Sequence, residues 1–316
     1  MVPFLLGVPS VRQRDTLGRS GPAPRVVPVF QTRRTVQSLL AGRGVRPRRR
    51  LGQHFLIDGN LMRKLVEAGA PGPDDEVLEV GAGTGSLTAE LARRAGRVVA
   101  VEVDATLAEI ASEQLAGREN VLILRCDALR GKSRVAAAVM DELHSAARRG
   151  KRLKLIANLP YDIATPLVLN LLTDGPAFER LCFTVQREVG ERFLARAGTA
   201  AYGIASVLIG ALATARRIAA VPPQAFWPQP RVESVMLAVY PRTPVGIEGR
   251  RLAEFVRPFF QQRRKTVARI AATLGLEAEF AAACGRSRID TSYRPEQIEP
   301  AGWVFLARSI GGRGGR

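Results

Sequence analysis

The chain has 316 residues, 46% of them hydrophobic, and 47 Lys and Arg against 29 Asp and Glu give it a formal charge of +18. That length supports one large domain plus a smaller one, each with a core, and that charge favours a polyanionic partner, nucleic acid first, over an acidic protein or a neutral metabolite. Cys126, Cys182 and Cys284, with His54 and His144, lack CxxC or HxxxH spacing and support neither a disulfide framework nor a metal site, while no apolar run reaches the roughly 20 residues of a membrane span.

Residues 1–50 carry eleven Arg and a single acid, Asp15. Residues 1–45 are expected to be a basic, disordered extension, open to three readings: an organellar transit segment, a nucleic-acid-binding arm, or sequence upstream of the true start. Arg46, Arg48, Arg49 and Arg50 abut the first motif. Short apolar runs then predict strands near 77–81, 97–102, 121–125, 153–157 and 180–185. Helical patterns near 85–95, 105–116, 134–148, 163–173 and 186–195 separate and follow them. The expected fold is α/β, a doubly wound, Rossmann-like parallel sheet. Residues 203–221 read as helix then strand, and Val235 to Tyr240 as a last strand that pairs antiparallel at the sheet edge. Residues 46–244 form this domain; 245–316, helical in pattern with a break near Gln262, form a small all-helical domain.

Ligands of open α/β sheets bind at the carboxyl ends of the strands, and four such ends carry polar residues in order. In "VLEVGAGTGSLT", Glu79 precedes Gly81, Gly83 and Gly85, which let the backbone approach a ligand closely. The second strand ends at Glu102, placed to accept both ribose hydroxyls of a nucleoside, with Asp104 capping the next helix. The third ends in "RCDAL", where Asp127 can accept from an exocyclic amine or cap a helix. Three acids in a row would repel a phosphate and suit a cationic nucleoside, of which S-adenosylmethionine is the common one.

The fourth strand ends in "NLPY", which sets Asn158 beside the expected methyl donor, as a cofactor-binding as well as a catalytic residue. The amide oxygen of Asn158 and the carbonyl of Leu159 can accept both protons of an aromatic amine. Pro160 stiffens the turn without offering an N–H, and Tyr161 can stack on a flipped base, a contact worth about 1–3 kcal/mol. Two out-of-plane acceptors favour a pyramidal nitrogen whose lone pair faces the methyl donor, so no general base is needed.

Together these residues resemble the small-subunit ribosomal RNA adenine N6,N6-dimethyltransferases (KsgA/RsmA type). The resemblance covers about residues 46 to 310 and adds "RRRLGQHFLID", "FTVQREVGERFLA", "AYGIASV", "VPPQAFWPQPRVESV" and "FFQQRRKT" to the motifs above. It implies a class I methyltransferase sheet with a C-terminal helical RNA-binding domain, and dimethylation of two adjacent adenosines near the 3′ end of small-subunit rRNA in a pre-ribosomal particle. It also implies a cytoplasmic monomer using S-adenosylmethionine. By resemblance, Gln53, His54 and Leu56 close over the donor, and Phe183 sandwiches the target adenine against Tyr161. Arg263, Arg264 and Lys265 form a candidate phosphate-contacting stripe. Asp162 departs from the family, where Asn is usual; it either tunes substrate entry or caps a helix. The rival readings are a large-subunit rRNA methylase of the erythromycin-resistance type and a non-catalytic relative of the mitochondrial transcription factors.

Overall fold

The computed structural model describes residues 30–48, 52–131, 134–242 and 246–310. Expectations for residues 1–29, Arg49 and Arg50 lie outside the described residues. The chain enters through helix α1 (Arg33–Ala41), a two-residue strand β1 (Phe55–Leu56) and α2 (Gly59–Gly69). It then alternates through β2 (Asp75–Val80), α3 (Ser86–Ala92), β3 (Arg97–Glu102), α4 (Ala105–Gln114), β4 (Val121–Arg125), α5 (Ala137–Arg148), β5 (Arg152–Asn158), α6 (Ala164–Asp174), β6 (Phe178–Gln186) and α7 (Arg187–Leu194). Next come α8 (Ile204–Leu212), β7 (Ala213–Val221), β8 (Phe226–Trp227) and β9 (Ser234–Pro241), and the chain closes with α9 (Gly249–Gln261), α10 (Val267–Thr273), α11 (Glu277–Ser287) and α12 (Pro300–Ile310).

Seven of these strands make one sheet in the order β4-β3-β2-β5-β6-β9-β7. β2 to β6 are parallel, and β9 runs antiparallel to both β6 and β7. The sheet is therefore mixed, with the expected antiparallel pair at its edge. Chain order reverses between β2 and β5, so a crevice opens at their carboxyl ends, where Gly81 and Asn158 lie. Strand alternation sorts the side chains onto two faces. Leu155, Ala157, Leu181, Phe183 and Leu237 pack under α5, α6 and α7. Ile156, Cys182, Met236 and Ala238 pack on the other face with residues of α2.

Two expected boundaries shift. A disordered stretch reaching residue 45 does not hold, because residues 33–41 are helical. Thr32 caps α1 by accepting the Thr35 N–H, and Val36 and Leu40, one turn apart, are buried with Leu107 and Ile110 of α4. An apolar stripe on a basic helix suffices to dock it. The helical core around Trp303, Phe259 and Phe280 also takes in Tyr202, Val207, Leu208, Ala211 and Leu212, so α8 is shared with the sheet domain. The Tyr202 hydroxyl donates to the Ile298 carbonyl at 2.8 Å, tying the two parts together.

At the amino ends of the strands the sheet is closed by charge. Lys154 is 3% exposed; its ammonium lies 2.7 Å from Asp75 Oδ2 and donates to the Ala70 carbonyl at 2.6 Å. Arg152 Nε donates to the other Asp75 oxygen at 2.7 Å. Burial alone would push the Asp75 carboxyl up, but hydrogen bonds from Lys154, Arg152 and the Gly72 N–H hold it below the ordinary range. Removing one member of a buried pair strands the other. Lys154→Met is expected to lower unfolding free energy by about 3 kcal/mol in urea melts at neutral pH. A loss below about 0.5 kcal/mol would mean that Arg152 and Gly72 satisfy Asp75 alone.

Candidate active site

The crevice between β2 and β5 opens into a cleft of about 1190 Å³ that is open to solvent. Its floor is the turn after β2. Gly81, Gly83 and Gly85 have φ of 86°, 57° and 81°, the left-handed region that favours glycine. A Cβ at Gly81 would come within 3.1 Å of Pro160 Cδ, and one at Gly83 within 3.1 Å of Phe55 Cε1. The turn thus fits between Pro160 of one strand end and Phe55 of the N-terminal motif, which accounts for glycine at both positions.

Glu102, Asp104 and Asp127 are each tied to the local backbone. Glu102 accepts the Gly83 N–H at 2.8 Å and the Asp104 N–H at 2.9 Å, which fixes the glycine turn against β3. Burial pushes its carboxyl up, and those N–H donors oppose the shift. Each oxygen keeps a further lone pair for ligand hydroxyls. Asp104 caps α4 through the Thr106 and Leu107 N–H groups. Its second oxygen takes the Gln53 amide at 3.2 Å and faces the Arg48 guanidinium at 3.3 Å. Asp127 accepts the Leu129 N–H at 2.9 Å and lines the cleft. Glu79 is fully buried, and its Oε2 lacks a hydrogen-bond partner. Burial, with the Glu102 charge adding to it and the Thr88 hydroxyl opposing it, pushes the Glu79 carboxyl up to about 8. Burial thus favours the protonated form of Glu79, and a cation bound beside it would favour the charged form.

Asn158 closes β5. Its Nδ2 donates to the His54 carbonyl at 2.9 Å, while its Oδ1 is buried without a hydrogen-bond partner. Because a carbonyl only accepts, the nitrogen must face His54 and the oxygen is left for a donor. Tyr161 is held from two sides: its hydroxyl shares a 2.7 Å hydrogen bond with Ser234 Oγ, and its ring stacks on His54 with centroids 5.5 Å apart. Burial holds the phenol above its ordinary range, so it stays neutral. His54 Nδ1 lies 2.6 Å from the Pro228 carbonyl, and β1 pairs antiparallel with β8, Phe55 opposite Trp227 and Leu56 opposite Phe226.

Gln53, His54, Leu56, Glu79, Gly81, Gly83, Glu102, Asp127, Asn158, Leu159, Pro160 and Tyr161 all line the cleft. Gly85 lies behind it as the N-cap of α3. Phe183 does not reach the cleft and corrects the expected sandwich. It is 0% exposed and packs edge-on against Phe193, 6.1 Å between centroids. In the ladder Phe183 lies opposite Ala157 and Thr184 opposite Asn158, so alternation turns Phe183 to the other face. Asp162 is exposed and lines the cleft, and the N-cap of α6 is Ile163, without a side-chain cap; substrate entry, not capping, fits its position. The His54 ring meets Tyr161 and Pro228. Sequence reading missed Ser234, Pro228 and the buried, unpartnered Thr184 hydroxyl. "RVES" carried a signal for Ser234, as the polar residue that opens β9.

A glycine turn, a buried carboxylate at the end of β3 and a strand-end NLPY on this sheet define a nucleic-acid adenine methyltransferase of the class I fold. The chain belongs to the ribosomal RNA adenine dimethylase family, whose model matches residues 44–309. It is 37% identical to "Ribosomal RNA small subunit methyltransferase A" of Moorella thermoacetica, over 86% of this chain and 96% of that one. Its fold matches the crystal structure of a dimethyladenosine transferase from Plasmodium falciparum with a TM-score of 0.64 at 22% identity, covering 80% of this chain and 96% of that one. The 23S rRNA methyltransferase ErmE matches with a TM-score of 0.60 at 22% identity, covering 81% of this chain and 99% of that one. At 22% identity, these two matches show the fold alone. Among the described residues no helix is long and apolar enough to cross a membrane, and no cluster of His, Cys, Asp or Glu could hold a metal ion.

Glu79 links this site to pH. Between its unfolded value near 4.5 and its folded value of about 8, the folded chain holds a proton that the unfolded chain has released, so stability falls as pH rises through that window. Glu79→Gln is expected to raise the melting temperature of the ligand-free protein at about pH 8 and to leave it nearly unchanged at about pH 5. Equal shifts at both pH values would show that Glu79 is not held protonated.

Proposed function

We propose that the cleft binds S-adenosylmethionine and the flipped target adenine side by side. The enzyme would dimethylate N6 of two adjacent adenosines near the 3′ end of small-subunit rRNA. Bound there, S-adenosylmethionine supplies an electrophilic sulfonium methyl. Glu79 and the Gly81–Gly85 turn would hold its methionine end, Glu102 its ribose hydroxyls and Asp127 its adenine amine, with Gln53, His54 and Leu56 closing the pocket.

The observation that carries the reading is the unpartnered Oδ1 of Asn158, turned away from the His54 carbonyl. That oxygen accepts one N6 proton of the target base and the Leu159 carbonyl accepts the other. Both acceptors lie out of the ring plane, so the nitrogen leaves conjugation and its lone pair becomes available. Tyr161, fixed by Ser234 and His54, carries the base by stacking. The proton leaving the methylated amine passes to the Leu159 carbonyl or to water, so no side-chain base is required. The small-subunit substrate rests on the names of relatives at 37% identity over most of the chain; those relatives favour it over the large-subunit and non-catalytic readings. We take the acting form to be a cytoplasmic monomer that binds a pre-ribosomal particle through its basic surfaces, Arg263, Arg264 and Lys265 among them.

With immature small subunits as substrate, Asn158→Ala is expected to cut methyl transfer at least about 100-fold while S-adenosylhomocysteine affinity stays within about threefold. Dimethyladenosine formed at the parent rate, counted by mass spectrometry of digested rRNA, would remove the mechanism. Tyr161→Ala is expected to raise the KM for the particle about tenfold or more with the donor KM unchanged, consistent with a lost stacking contact.

A further inference from the structure

Residues 31–40 lie upstream of the segment that the family model matches, yet Val36 among them lines the same cleft. Gln31 is 5% exposed and spends both ends of its amide on one residue. Its Nε2 donates to the Thr84 carbonyl at 3.0 Å, and its Oε1 accepts the Thr84 hydroxyl. Its backbone N–H donates to Ser86 Oγ at 2.9 Å. Val36, on the buried face of α1, lines the cleft wall. Further on, the Arg48 N–H donates to Gln53 Oε1 at 2.7 Å and its guanidinium meets Asp104. The segment is therefore fastened at the glycine turn, along α4, and at the start of the N-terminal motif.

Thr84 is the residue between Gly83 and Gly85, both at positive φ. A turn containing three glycines loses much conformational freedom on ordering and has few side chains of its own to hold it. Gln31 supplies that hold from outside, and a turn ordered before the ligand arrives has less to lose on binding. A buried amide satisfied at both ends also cannot be cut back without leaving Thr84 groups unpaired.

We propose that residues 31–40 form an outer wall of the methyl-donor pocket, with Gln31 the positioning residue that holds the glycine-rich turn in its donor-binding shape. This rests on the donor site proposed above. It predicts that a residue with no role in methyl transfer governs how tightly the donor binds.

The test uses the full chain and S-adenosylhomocysteine in calorimetry, with steady-state methylation of immature small subunits alongside. Gln31→Ala is expected to weaken binding roughly tenfold and to raise the donor KM to match, with kcat at saturating donor within about twofold. Gln31→Glu keeps an acceptor for the Thr84 hydroxyl but sets a second acceptor against the Thr84 carbonyl, so a loss at least as large is expected. Thr84→Ser keeps the hydroxyl and should bind like the parent chain, and adding Thr84→Val to Gln31→Ala should cost little more than Gln31→Ala alone. Parent-like affinity in both Gln31 variants, with or without a lower melting temperature, would reduce Gln31 to a structural residue and overturn the proposal. So would a fall in kcat with the donor KM unchanged. Failure of the parent chain itself to bind S-adenosylhomocysteine would overturn the donor site, and the wall with it.

Discussion

The cleft depends on one hydrogen bond, from Asn158 Nδ2 to the carbonyl of His54. The two ends of an amide are nearly equal in size and opposite in hydrogen-bonding character. Such a bond adds only about 1 kcal/mol to stability, yet reversing the amide would set two acceptors against each other and leave both unsatisfied. The orientation is thus fixed more firmly than the bond's own strength suggests. His54 is itself fixed by the β1–β8 ladder beside it, by Pro228 and by Tyr161. Segments about 100 and 170 residues apart in sequence, as these contacts are, become one rigid group around a single free oxygen.

The two ends of the sheet differ in how their polar groups are matched. At the amino ends, Asp75, Lys154 and Arg152 satisfy one another at short range. At the carboxyl ends, Asn158 Oδ1, Glu79 Oε2 and the neighbouring Thr184 hydroxyl are buried without partners. Leaving such groups unpaired costs about 1–3 kcal/mol each. Of these groups, those of Asn158 and Glu79 belong to residues that line the cleft, where a ligand can meet them.

Much of this was legible in the sequence because the governing patterns are local. Predicted strands overlap β2 to β6 because each is a short apolar run bounded by turn residues, and the strand-end acids follow from where those runs stop. "NLPY" was readable because an amide and a proline make poor strand interiors. Phe183 was misplaced because its role was taken from the motif, while its side depends on strand phase: a shift of one residue moves a side chain to the other face. Helix α1 was missed because the Arg-rich, acid-poor composition of residues 1–45 outweighed the Thr32 cap and the Val36–Leu40 stripe within it. Gln31 with Thr84, and His54 with Pro228, are pairings between distant segments, and a single sequence carries no local signal for them.

The most direct test of the central claim is a crystal structure of the full chain with S-adenosylhomocysteine and adenosine both bound. The account predicts adenosine N6 within about 3 Å of Asn158 Oδ1, the Asn158 nitrogen still on the His54 carbonyl, and the base lying on the Tyr161 ring. An Asn158 oxygen that faces away from the purine, or a purine bound elsewhere while the donor product fills the cleft, would contradict it.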